Sequence, residues 1–114
     1  MEFIHVNFES SYFEECFIKN CVFENYDFIS CNLSDWDVEK TTFNKCRFVR
    51  SCLNNSVFDS CNFRSPIFEG VQDGLFIALV LIDSKFSNSK KSIEFEGEVS
   101  FNEIFDQIHE LSLE

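Results

Sequence analysis

The sequence predicts an all-β solenoid, a chain wound into stacked coils, on three observations. Every fifth residue from Phe3 to Phe68 is apolar: Phe3, Phe8, Phe13, Ile18, Phe23, Phe28, Leu33, Val38, Phe43, Phe48, Leu53, Phe58, Phe63 and Phe68. If about half of residues are apolar, fourteen in succession arise by chance on the order of once in ten thousand. Two positions before each of these centres runs a second column, in which nine of the fourteen residues are Cys, Ser or Thr. Finally, the 114 residues include 16 Phe but only 3 Gly and 1 Pro, so something other than ordinary tight turns must bend the backbone. A period of five fits neither the 3.6 of a helix nor the 2.0 of a flat strand. The chain must therefore turn once per repeat and bring each large residue back to one axis.

Stretches such as Cys46-Arg47-Phe48-Val49-Arg50 and Cys61-Asn62-Phe63-Arg64-Ser65 place a small residue, a polar one, a large apolar centre and two mostly polar positions in order. In this the chain resembles the pentapeptide-repeat family, over at least residues 1–70. The resemblance implies a right-handed quadrilateral parallel β-helix of about four coils, four repeats to a coil, with the centre and the small residue pointing inward. Residues twenty apart then stack at the strand spacing of about 4.8 Å, and central Phe rings form a ladder down the axis. Such a solenoid is held by nearest-neighbour contacts, so its ends need capping. Tyr26, Trp36 and Pro66 at small positions and Val38 at a centre depart from the pattern, and they predict a local widening of the second coil.

Beyond Phe68 the register returns three residues late, with Phe76, Leu81 and Phe86 five apart and Gly74, Leu79 and Ser84 two before them. This predicts a three-residue insertion within residues 69–74, forming a short loop, and then three further repeats. Leu75, Ile77, Val80 and Ile82 would face outward and need covering. The competing reading is a conventional buried strand from Leu75 to Ile82, paired with a later one. Ile93, Phe95 and Val99 alternate with Glu94, Glu96 and Glu98, as in a half-exposed strand. Ser100 and Glu103 then form a capping box for a helix whose apolar face is Phe101, Ile104, Phe105, Ile108 and Leu111. That face can cover the outward patch, close the solenoid or pair with a second copy. The division expected is a β-helix over residues 1–88 and a strand with a capping or dimerisation helix over residues 89–114.

Twenty acids against nine bases give a net charge of -11, which argues against direct nucleic-acid binding. Residues 1–39 hold nine acids and one base, a local net of -8. Residues 40–70 reverse the sign through Lys40, Lys45, Arg47, Arg50 and Arg64. The longest apolar run, Leu75 to Ile82, is far short of the roughly 20 residues of a membrane span, and no targeting signal opens the chain. A cytoplasmic protein without membrane attachment is expected. Five of the six cysteines, Cys16, Cys21, Cys31, Cys46 and Cys61, differ by multiples of five and so obey the repeat. They read as reduced, buried core thiols, not as a disulfide or metal framework.

The sequence carries no phosphate loop, HExxH, GxSxG or EF-hand pattern, and no catalytic, metal or cofactor residue is assigned. Cys52, the one cysteine at an outward position, has no histidine placed beside it by the sequence. What remains is a surface. Glu14, Glu15 and Asp35 share one side of the coil without a base, and Glu9, Asp27 and Asp37 extend the acidity over the first two coils. Some pentapeptide-repeat proteins resemble duplex DNA in width and charge and block DNA gyrase. The resemblance therefore implies a non-enzymatic inhibitor that imitates DNA toward a nucleic-acid-binding enzyme: a topoisomerase, a restriction nuclease or a CRISPR effector. Seventeen repeats span roughly 20 Å, about six base pairs, so an end-to-end homodimer would be needed to cover a helical turn. The alternatives are a protein-binding or assembly module whose acidity serves solubility, and a toxin-neutralising immunity protein.

Overall fold

The computed structural model describes residues 6–70 and 78–112, apart from the side chains of Val6 and Ser112. The first coil contains Val6–Glu9 (β1), Phe17–Lys19 (β2) and Val22–Glu24 (β3), and the second Tyr26–Ile29 (β4), Asp37–Glu39 (β5) and Thr42–Asn44 (β6). The third contains Arg47–Val49 (β7), Val57–Asp59 (β8) and Asn62–Arg64 (β9), and Ile67–Glu69 (β10) opens the fourth. The remaining side of each coil has no strand and is joined by parallel bridges from Tyr12 to Asn32 and from Asn32 to Cys52. All pairs within the coils are parallel at an offset of twenty, so Phe28 lies between Phe8 and Phe48, and Phe43 between Phe23 and Phe63. The fold is thus a β-solenoid of about four turns, consistent with a quadrilateral β-helix.

The corners explain how a chain so poor in glycine turns so often. Every fifth residue from Ser10 to Gly70 has φ between 48° and 65°, and twelve of these thirteen are not glycine. The left-handed conformation costs about 1–2 kcal/mol per residue for most side chains. Its cost is offset because it aims the corner N–H at the coil above: Ser30 donates to the Val49 carbonyl at 2.8 Å and Asp35 to that of Asn54 at 2.9 Å. Asn20, Asn25, Asp35 and Asn55 tolerate this region best.

Inside, two aromatic ladders run along the axis. Phe8, Phe28, Phe48 and Phe68 stack at 5.6, 5.3 and 5.3 Å between ring centroids, and Phe23, Phe43, Phe63 and Phe86 at 5.2, 5.0 and 4.6 Å. Parallel coils at a fixed offset put like above like, which gives offset-stacked rings without further adjustment. The space enclosed by Phe48, Phe58, Phe63, Phe68, Phe86 and Phe101 has a cavity volume of only about 10 Å³, around the least that holds one water.

The small column has a chemical reason as well as a steric one. Ser51 Oγ donates to the Phe28 carbonyl at 2.8 Å and accepts the Cys31 N–H at 3.1 Å, both in the coil below. Ser56 does the same between the Leu33 carbonyl and the Trp36 N–H. Cys31, Cys46 and Cys61 direct their thiols at the carbonyls of Phe8, Phe23 and Val38. A short side chain with a donor satisfies the one inward carbonyl of each repeat that the strand ladder leaves over. Trp36 keeps the rule, since its Nε1–H donates to the Phe13 carbonyl. Tyr26, Trp36 and Val38 leave the ladder register at twenty through the second coil, so the expected widening does not disturb the pairing.

The C-terminal part joins the two competing readings of the apolar run. Val80–Ser87 (β11) continues the solenoid at an offset of twenty-three, with Leu81 opposite Phe58 and Phe86 opposite Phe63, as a three-residue insertion requires. Ser84 takes the small position, donating to the Phe58 carbonyl at 3.2 Å. The same strand also pairs antiparallel with Ser92–Ser100 (β12), a longer partner than the alternation of residues 93–99 indicated. Residues 71–77 lie outside the described part, and with them Gly74, Leu75, Phe76, Ile77 and most of the insertion. Helix α1, Phe101–Ser112, then lies across the end of the solenoid. Phe101, Ile104, Ile108 and Leu111 are buried in the common core, and Phe101 stands 5.2 Å from Phe68. The apolar face of the helix is therefore spent on closing its own solenoid: of the two roles expected for Phe101, Ile104, Phe105 and Ile108, capping is the one that burial of Phe101, Ile104 and Ile108 in the chain's own core shows. Phe105 is half-buried against Phe101 at 5.8 Å.

Candidate protein-binding surface

Two positions of each repeat point outward, one on either side of the centre, and the corner residue adds a third. In the first two coils these positions hold six exposed carboxylates: Glu9, Glu14, Glu15, Glu24, Asp35 and Asp37. Glu15 and Asp35 occupy the same corner one coil apart, both with φ 60°, which sets their backbones about 4.8 Å apart along the axis. Glu14 precedes that corner and accepts a hydrogen bond from the Asn32 amide at 2.9 Å. The Asn32 carbonyl oxygen in turn accepts from Ser34 Oγ at 2.6 Å, and Ser34 Oγ lies 3.2 Å from Cys52 Sγ. These bonds fix the Glu14 carboxylate against the wall of its side. The structure thus brings Glu14, Glu15 and Asp35 together. Glu9 stands on the neighbouring side and Asp37 on the opposite neighbour, so the acids wrap the coils and do not share one plane.

Asp27 is a correction. Expected outward, it is only 4% exposed. Arg47, twenty residues on and directly above it, brings Nη1 to 3.4 Å from Asp27 and Nη2 to 3.6 Å from Glu69. A carboxylate this buried is kept by its ion pair, so Asp27 belongs to the solenoid wall and not to a binding surface. The twenty-residue spacing of opposite charges on one side was the signal for it. Sequence reading counted Asp27 with the exposed acids because position within the repeat says outward without saying covered.

The exposed bases begin among these acids, with Lys40 and Lys45 at corners of the second coil, and continue in the third with Arg50 and Arg64. Acidity returns at the cap: Glu94, Glu96 and Glu98 are exposed along β12, with Lys85 3.9 Å from Glu94. Asp83 Oδ1 accepts the N–H of Gly97 at 2.8 Å, where the pairing of β11 and β12 shifts register.

All six cysteines are free thiols, and Cys21, at the rim of the first coil, is exposed although the repeat predicted it buried. Burial pushes Cys46 and Cys61 up to about 11, so at neutral pH both are protonated donors to carbonyls. Cys52 is half-buried, and His109 stacks on Phe105 at 5.7 Å on the cap; His5 lies outside the described residues. Among the described residues no group of His, Cys, Asp and Glu side chains could hold a metal ion, and no helix is long and apolar enough to cross a membrane. No protein-family model and no curated protein matches this chain.

Proposed function

We propose that this protein is a non-enzymatic inhibitor that presents the acidic first two coils to the DNA-binding groove of a nucleic-acid-handling enzyme. One observation carries the reading: six exposed carboxylates stand on two coils over about 10 Å, offset by the exposed Lys19, Lys40 and Lys45 to a net of three negative charges. Duplex DNA carries roughly six on that length. With Asp27 off the surface the exposed carboxylates still number as many as the phosphates on that length, while the net charge is about half that of DNA. The resemblance of the repeats to the pentapeptide-repeat family supports the same reading. The partner is a protein, and direct binding to nucleic acid is disfavoured by the same charges.

The experiment is inhibition in a defined reaction. Purified protein is titrated into DNA supercoiling by gyrase, cleavage by a restriction nuclease and cleavage by a CRISPR effector, each at low and high salt and with competitor duplex. Inhibition relieved by salt and by duplex DNA is the expected result. Enzymes left fully active by excess protein would end the reading.

Tyr12, Phe17 and Val22, exposed on the same first coil, favour the second reading, a protein-binding module with an apolar anchor. Binding indifferent to salt and to DNA would select it, and a basic toxin as the bound partner would make the module an immunity protein.

A further inference from the structure

The cap of the solenoid ends in a strand with a free edge. Val80 and Lys85 donate their N–H groups to the carbonyls of Ser56 and Cys61, and Ser60 and Ser65 donate theirs to the carbonyls of Ile82 and Ser87. On either side of the Asp83 corner, these four residues of β11 thus turn their backbone groups down the solenoid. Successive residues of a strand point those groups to opposite sides, so Leu81, Ser84 and Phe86 present theirs to Val99, Phe95 and Ile93 of β12. By the same alternation Ser92, Glu94 and Glu98 aim theirs away from β11. Among the described residues β12 pairs with β11 alone, and no hydrogen bond reaches Glu94 or Glu98 from the outer side. An unpaired edge is a template for another strand.

The side chains along this edge select what it takes. Glu94, Glu96 and Glu98 are exposed on the outer face, and Ile93, Phe95 and Val99 are half-buried on the face toward the core. Lys85 stands opposite Glu94, but Glu98 stands opposite Ile82, and Glu96 lies beside Asp83 where the pairing shifts register. A recess of about 300 Å³ opens there among Asp83, Ser84, Lys85, Glu94, Phe95 and Glu96. Lys90 and Lys91, exposed at the turn before β12, bound the acidic stretch at that end.

A strand laid along β12 sets its own outward side chains about 5 Å from these glutamates, near enough for opposite charges to pair and like charges to repel. A second copy of β12 fails this condition. Whatever its direction and register, its glutamates either join the glutamates on the outer face or take the core-ward face beside Ile93 and Phe95.

We propose that the outer edge of β12 is a docking site for an extended segment of a partner protein that alternates Lys or Arg with apolar residues and adds to the sheet as a strand. Its main chain bonds to Ser92, Glu94 and Glu98, and its basic side chains lie beside Glu94, Glu96 and Glu98, one of them over the recess. Its apolar side chains extend the face of Ile93 and Phe95. The glutamates act twice, repelling a second copy and selecting the basic strand. The site lies on the cap, apart from the first two coils, and is independent of the inhibitor reading.

Titration of the full chain into a fluorescent nine-residue peptide alternating lysine with valine tests it. The expected result is micromolar binding that weakens at least tenfold from low to high salt. A peptide of the same composition with its lysines and valines in two blocks should bind at least tenfold more weakly, and one with glutamate in place of lysine should not bind. The amides of Glu94 and Glu98 should exchange fast in the free protein and slow with peptide bound, whereas those of Ile93 and Phe95 are protected in both. Glu94→Pro removes an N–H that no described residue accepts, so it should abolish binding and leave the circular dichroism spectrum unchanged. Glu94→Gln, which keeps that N–H, should weaken binding by less than tenfold, and Glu96→Lys with Glu98→Lys should abolish it. No binding at millimolar peptide overturns the proposal, as does equal binding of the alternating and block peptides. So does binding that leaves exchange at Glu94 and Glu98 unchanged, or a dimer of this chain that Glu94→Pro dissolves, which would make a second copy the occupant.

Discussion

The indole Nε1–H of Trp36 donates to the carbonyl oxygen of Phe13, twenty-three residues earlier and one coil below. Ser51 to Phe28 and Cys31 to Phe8 are the same bond at the same offset. The largest side chain of the column thus fills the role of the smallest, and its ring, 6.0 Å from Phe28 at 87°, packs edge-on against the aromatic ladder. Trp36→Phe keeps most of the packing and removes the indole donor from the Phe13 carbonyl, which retains the Cys16 thiol at 3.4 Å, for an expected loss of about 0.5–1.5 kcal/mol. Trp36→Ala adds a cavity and should cost about 3–5 kcal/mol. Urea denaturation of the two variants separates the bond from the volume.

Phe48 stands at the middle of one ladder, 1% exposed between Phe28 and Phe68. Phe48→Asp places an unpaired carboxylate on the axis, which costs more than a small domain's whole stability margin. The variant is expected to be unfolded by circular dichroism. A soluble, cooperatively folding Phe48→Asp protein would contradict the inward assignment of the column.

Cys46 and Cys61 give the fold an alkaline limit. Burial raises both thiols from their usual 9.0 to about 11. A group whose folded pKa lies above its unfolded value contributes stability that is complete below about pH 9 and is lost as pH rises through about 11. The loss is on the order of 2–3 kcal/mol per thiol. Melting temperatures across this window should fall for the natural chain and fall less for the double variant Cys46→Ser, Cys61→Ser, whose hydroxyls keep a donor in the column without titrating.

Reversing Glu14, Glu15 and Asp35 to Lys tests the acidic surface. All three are exposed, so the fold should survive within about 0.5 kcal/mol per site. Inhibition of the target enzyme should be abolished, and its recovery at low salt should not occur. A triple variant that inhibits fully would remove these residues from the binding surface.

The period of five determined the fold by itself. A large residue every fifth position, with a donor-bearing small residue two before it, admits one way of burying both columns and of pairing the backbone groups between them. It also located the three-residue slip, because Leu81 and Phe86 can stack on Phe58 and Phe63 only at that offset. Tertiary structure decided what repeat position leaves open. Asp27 and Glu9 both lie beside a centre on the same side, yet Arg47 above Asp27 draws it into the wall while Glu9, in the terminal coil, stays in water. Apolar periodicity described the helix face of Phe101, Ile104 and Ile108 without saying what it covers, since a solenoid end and a second copy offer the same greasy surface. That choice rests on β11 and β12 turning back across the last coil and delivering Phe101 to Phe68.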